Sequence, residues 1–277
     1  MICLEVVNLL EIFKAIILGI VQGITEWLPV SSTGHMILVD EFIKFNQSSI
    51  FVSTFLVVIQ FGSILAVLTI FFKKLNPFDR SKSQTQKSET IDLWIKVLIA
   101  VIPSGILGLL FDDAIEEIFF NSNTVAITLI LYGIIMIAIE NRDKKPKVND
   151  FSQVTYKLAI GIGLFQCLAL IPGTSRSGAT IIGAILLGTS RYVAAEFSFF
   201  LAIPTMLGAS GLKLFKAGFA FTSQEWLILL IGSVVAYLVS IFAIKFLLDY
   251  VKKHDFKIFG YYRIVLGLIV LSYFWII

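Results

Sequence analysis

The sequence predicts an all-α polytopic membrane protein with six transmembrane helices and two re-entrant helix-loop-helix regions, set in inverted-topology repeats. Three observations carry that prediction. The mean hydropathy is +0.91, with 57% hydrophobic and 15% charged residues, against about 25% charged in an ordinary soluble domain. Six apolar runs, at 51–72, 93–111, 124–139, 196–215, 226–248 and 260–277, mostly approach or exceed the roughly 20 residues that cross hydrocarbon. Two polar breaks, Gln22–His35 and Pro172–Gly178, interrupt greasy sequence at matching places in the two halves.

Taken in order, the apolar arms 12–28 and 36–43 flank the first break and are mostly too short to cross alone. Paired about a polar bend, they enter the membrane and turn back, which is permitted where the bend is buried in protein or faces a wet cavity; one kinked span is the alternative. The runs 51–72 and 93–111 follow as ordinary spans. The run 124–139 is short, but Ser122, Asn123 and Glu140 at its ends are tolerated at an interface. Arms 154–171 and 179–189 flank the second break in the same way as the first pair, and three spans close the chain.

Basic residues cluster in 73–90, 140–157 and 245–263, the last including Arg263, whereas 112–122 carries Asp112, Asp113, Glu116 and Glu117. The positive-inside rule puts the basic stretches in the cytoplasm and the loops near 112–122 and 216–225 outside. The break near residue 30 then enters from the outer face and the break near 175 from the inner. Pro29 and Pro172 differ by 143 positions, as do Ser32 and Ser175, while Gly34 and Gly178 differ by 144. The chain reads as a single membrane domain, 1–277, with one repeat over about 1–140 and an inverted copy over about 150–277, the architecture that joins broken helices into one midplane site.

The bends have the chemistry to hold an anion. Ser31, Ser32 or Thr33 caps an arm beginning near His35, and Ser175 or Ser177 an arm beginning near Ala179, leaving amide donors and positive helix ends toward the cavity. Arg176 is a costly charge inside a membrane, and its fork fits two phosphate oxygens; an ion pair with Glu26 or Glu196 is the structural alternative. Glu26 lies one helical turn after Gln22, suited to ligating a divalent metal or to taking a proton. His35 stands at the end of the hydroxyl-rich bend, where a base, acid or nucleophile is useful. Gln60, Glu196, Ser210 and Lys213 are polar positions in spans, most of them expected to join helices. Asp40 and Glu41 are expected at the interface, and Trp27, Trp94, Trp226 and Trp275 near it as anchors. Cys3 and Cys167 suggest neither a disulfide nor a catalytic thiolate. No basic leader with a cleavage pattern is present, so the N-terminus is expected to be retained. No nucleotide loop or nucleic-acid module is present, and the basic loops are explained by topology.

Gln22-x-x-x-Glu26, Pro29-Val-Ser-Ser-Thr-Gly-His35 and Pro172-Gly-Thr-Ser-Arg-Ser-Gly178 together resemble the signatures of bacterial undecaprenyl-diphosphate phosphatases of the bacitracin-resistance type, over the whole chain. The resemblance implies hydrolysis of undecaprenyl diphosphate in the bacterial plasma membrane at a site open to the outer face, with magnesium or calcium, recycling a cell-wall lipid carrier and giving bacitracin resistance. It implies functional roles for Glu26, His35, Ser32 and Arg176, with Ser175, Thr33, Thr174 and Ser177 on the phosphate side and Gln22, Ser31 and Gln60 in secondary places. Gln22 stands where many relatives have Glu, so metal binding rests on Glu26 with Gln22 as a weaker ligand. Ser32, His35 or an activated water all stay open as the attacking group, with water or Ser32 ahead. The expected partners are the diphosphate substrate and membrane lipid, with a homodimer allowed and no nucleic acid. The alternative is a flippase for undecaprenyl phosphate or another anion transporter, alone or combined with the phosphatase.

Overall fold

A computed structural model describes residues 9–119, 121–142, 144–218 and 221–276. Cys3 and Glu5 lie outside the described residues, as do the side chains of Asp40, Glu41, Asp112, Asp113, Glu116 and Trp275, with the expectations attached to them. The described chain is helical: α1 (Leu9–Thr25), α2 (Ser32–Phe42), α3 (Ser49–Ile70), α4 (Phe72–Leu75), α5 (Gln84–Phe119), α6 (Ser122–Glu140), α7 (Tyr156–Cys167), α8 (Arg176–Leu186), α9 (Arg191–Ala217), α10 (Ser223–Val251) and α11 (Lys257–Ile276). Six of them, α3, α5, α6, α9, α10 and α11, are long and apolar enough to cross a membrane, each over one of the six predicted runs.

Most of the long helices begin at a side-chain cap. Ser48, Asn121, Ser190 and Thr222 each accept the amide three residues on, and Glu225 completes a capping box with Thr222, so one orphan amide at each start is satisfied before the helix enters lipid. Pro103 and Pro204 lie inside α5 and α9. The expected acidic loop at 112–122 is corrected: α5 runs on to Phe119, because no glycine or proline follows Gly108 to stop it.

Helix α9 is the centre of the bundle, with 72% of its apolar window buried against 28% for α5. It packs on α3, α5, α8 and α10, while α1 packs on α10, α7 on α5, and α6 on α11. The α6–α11 pair approaches closely at Gly133 and Gly260, where a Cβ on either residue would lie 2.7–2.8 Å from the other's carbonyl oxygen, the small-residue contact that brings membrane helices together. Ser210 donates to the Val57 carbonyl at 3.0 Å and Lys74 pairs with Glu196 at 2.7 Å, both joining elements away from the bends. Trp27 is corrected as an interface anchor. It is fully buried, edge-on to Phe199 at 5.3 Å, because the bend that follows α1 packs into the core of the bundle.

Candidate active site

Two short helices start at bends that share one geometry. After α1 the chain turns through Glu26–Val30 into Ser31, at φ 71°, whose hydroxyl accepts the Gly34 amide at 3.3 Å and caps α2. After α7 and a 3-10 turn it reaches Gly173, at φ 85°, and then Ser175, at φ 73°, whose hydroxyl accepts the Gly178 amide at 3.1 Å and caps α8. The arms therefore start at Ser32 and Arg176, three residues before the expected positions, since a capping hydroxyl bonds the third helical amide and so stands just ahead of the helix. A left-handed serine costs of order 1–3 kcal/mol and is held only where its surroundings over-determine it. Gly173, at φ 85°, bears no such strain, and a Cβ there would meet the Val125 backbone at 2.8 Å.

The bends meet at a carboxylate. Glu26, 4% exposed, accepts from Gln22 Nε2 at 2.8 Å and Ser32 Oγ at 3.0 Å on one oxygen, and from Arg176 Nη2 at 3.0 Å on the other. Arg176 also donates Nη1 to the Ser198 carbonyl at 2.7 Å and lies over the Trp27 ring. Of the two expected carboxylates, the partner of Arg176 is Glu26. Ser177 is buried, with the Glu26 and Leu28 carbonyls at 3.3 and 3.2 Å from its hydroxyl, so it ties the bends from within. Ser32, Thr33, His35, Ser175 and Arg176 are half-buried, while Gln22, Ser31 and Thr174 are buried. Gln60, half-buried on α3, is not among the partners in this network.

The Ser31 carbonyl sets the tautomer of His35. Its Nδ1 lies 2.8 Å from the Ser31 carbonyl oxygen, which only accepts, so Nδ1 carries the proton. In the neutral ring Nε2 is then the acceptor for the Tyr262 hydroxyl at 2.6 Å.

The sequence reading missed Arg263. Counted with the basic linker 245–263, it is instead fully buried on α11. Its Nη1 donates to the Pro29 carbonyl at 3.3 Å, and its Nη2 to those of Gly173 and Thr174 at 2.9 and 3.0 Å. One guanidinium thus clasps both bends. The available signal was its place inside the run 260–277, since an arginine within a span is costly wherever it occurs.

The family model described as "Bacitracin resistance protein BacA" matches residues 15–269. The chain belongs to this family. The BacA-family relatives it is similar to include "Undecaprenyl-diphosphatase 1" of Clostridioides difficile (strain 630), 76% identical over 99% of this chain and 100% of that protein. "Undecaprenyl-diphosphatase" of Desulfitobacterium hafniense (strain DSM 10664 / DCB-2) is 62% identical over 96% and 97%, and that of Enterococcus faecalis 59% identical over 95% and 97%.

For this BacA-family chain a cation would fit as a shared guest. Gln22 Oε1 is buried without a hydrogen-bond partner on the residue that donates to Glu26, and an amide oxygen beside a carboxylate suits Mg2+ or Ca2+. Among the described residues no three His, Cys, Asp or Glu side chains gather to form a cage. Glu26 and Gln22 would therefore hold such an ion together with substrate phosphate oxygens and water.

Proposed function

We propose that this chain hydrolyses undecaprenyl diphosphate to undecaprenyl phosphate and inorganic phosphate in a multi-pass bacterial plasma-membrane protein, recycling a cell-wall lipid carrier. The observation that carries this reading is Glu26 accepting from Ser32 on one side and Arg176 on the other, in a chain so similar to proteins named undecaprenyl-diphosphatase.

The direction of the Ser32 bond supports a serine nucleophile in this reading. Its proton points at Glu26, so Ser32 Oγ attacks the terminal phosphorus while Glu26 takes the proton. The bridging P–O bond breaks and undecaprenyl phosphate leaves; water then releases inorganic phosphate from Ser32. Diphosphate entering the bend takes the Arg176 fork from Glu26, which both binds the anion and frees the carboxylate as a base. Ser175, Thr33 and the amide ends of α2 and α8 add donors. His35 places Ser31 and the start of α2 through Nδ1 and presents Nε2 with Tyr262 at the site. A bound Mg2+ or Ca2+ would neutralise diphosphate charge.

The same reading makes the bends the tips of two re-entrant hairpins in inverted repeats, about 1–140 and 150–277, opening to the outer face. Its support is that Ser31 and Ser175 repeat φ and cap 144 residues apart, and that exchanging halves maps the α1–α10 contact onto α7–α5.

Reconstituted protein given undecaprenyl diphosphate is expected to release phosphate, and EDTA to lower that release at least tenfold, reversibly on adding Mg2+ or Ca2+. Flux of undecaprenyl phosphate between leaflets without phosphate release would instead mark a flippase.

A further inference from the structure

Away from the bends, the ends of α6, α8, α9 and α10 surround a cavity of about 440 Å³. It lies at the end of the bundle that the basic loops place in the cytoplasm. Part of its lining is apolar, from Ile139, Ile185, Leu187 and Val251. The rest is strongly cationic, and among the described residues Glu140 is the single carboxylate that lines it. That carboxylate is already used, by Arg191 in a bidentate pair and by the Phe256 amide at 3.1 Å.

Arg142, Lys144, Lys145 and Lys147 also line the cavity, and among the described residues their side chains have no ion pair or hydrogen bond. Positive-inside bias accounts for cations at this end, yet elsewhere on it Lys74 and Lys82 are consumed by Glu196 and by carbonyls of the chain. A second observation is independent of charge. Thr189 lines the same cavity, is 3% exposed, and its hydroxyl has no partner, a state that buried polar groups rarely keep without a ligand or water. The wall is also fixed. Lys147 N donates to the Gly188 carbonyl and Ser190 N to that of Val148, both at 2.8 Å, around Gly188 at φ 100°.

We propose that this cavity holds the phosphate head group of an anionic membrane phospholipid, with its acyl chains leaving along the apolar wall. Basic pockets between membrane helices on the cytoplasmic side have the right charge and depth for such head groups.

The test is native mass spectrometry of the purified full chain with phosphatidylglycerol, phosphatidylcholine or inorganic phosphate added. Wild type is expected to retain phosphatidylglycerol in preference to phosphatidylcholine, without displacement by inorganic phosphate. The triple variant Lys144→Ser, Lys145→Ser, Lys147→Ser is expected to weaken that retention about 100-fold, each lysine near the surface contributing about fivefold. Its phosphate release in detergent should match wild type, which also reports that it is folded. Thr189→Val, nearly isosteric, should weaken retention several-fold with unchanged Tm. Equal retention by wild type and the triple variant, or equal binding of phosphatidylcholine, overturns the proposal. Displacement by inorganic phosphate at matched concentration overturns it too, since the cavity would then be a site for soluble anions.

Discussion

Arg176→Lys is expected to lower kcat by about 10³-fold, the lower end of what an arginine contributes to phosphoryl transfer, while the protein stays folded. The guanidinium uses two nitrogens at once, one on the Ser198 carbonyl of α9 and one on Glu26 of the opposite bend. A lysine keeps the charge, so Glu26 is not left as a lone buried anion, a loss that would cost about 3–5 kcal/mol. What it lacks is the planar fork that stays anchored on Ser198 while turning its other edge to phosphate. Turnover therefore falls far more than Tm. Steady-state phosphate release beside a thermal unfolding curve separates the two, and a folded lysine variant with more than a tenth of wild-type kcat would contradict the role given to the fork.

Arg263→Lys is the second large effect, and it acts at a distance from the reacting atoms. Three carbonyls from two bends converge on one guanidinium. A single ammonium does not reach all of them, and each lost hydrogen bond to a charged group costs about 1.5–3 kcal/mol. Tm is expected to fall clearly. At a temperature where the variant is still folded, the bends lose their mutual register, and a displacement near 1 Å is enough to lower turnover about 100-fold. Wild-type kcat in the folded variant would show that the clasp stabilises the chain without positioning its site.

Much of this molecule was legible because lipid leaves the backbone so few choices. Six runs became six helices, with boundaries differing by up to nine residues, the largest at the two ends of α5. The polar breaks were legible for the complementary reason, since Gln22, Glu26 and Arg176 must find partners inside apolar sequence, and they find one another. Arg263 and Trp27 were misread because charge counts and segment ends describe a residue's neighbours in sequence. Their burial depends on partners far along the chain: Pro29 lies 234 residues from Arg263, and Phe199 faces Trp27 from the other half. The reach of α5 to Phe119 was hidden by its acidic residues, which read as loop where they are the polar end of a long helix.

That residues from both halves act on one diphosphate is tested most directly by phosphate release from undecaprenyl diphosphate in liposomes, comparing wild type with Glu26→Gln and Arg176→Ala, each checked for folding. The account predicts release by wild type and its loss in both folded variants, although one change lies in the first bend and the other in the second. Release at the wild-type rate by either folded variant, or none by wild type with cation supplied, would contradict it.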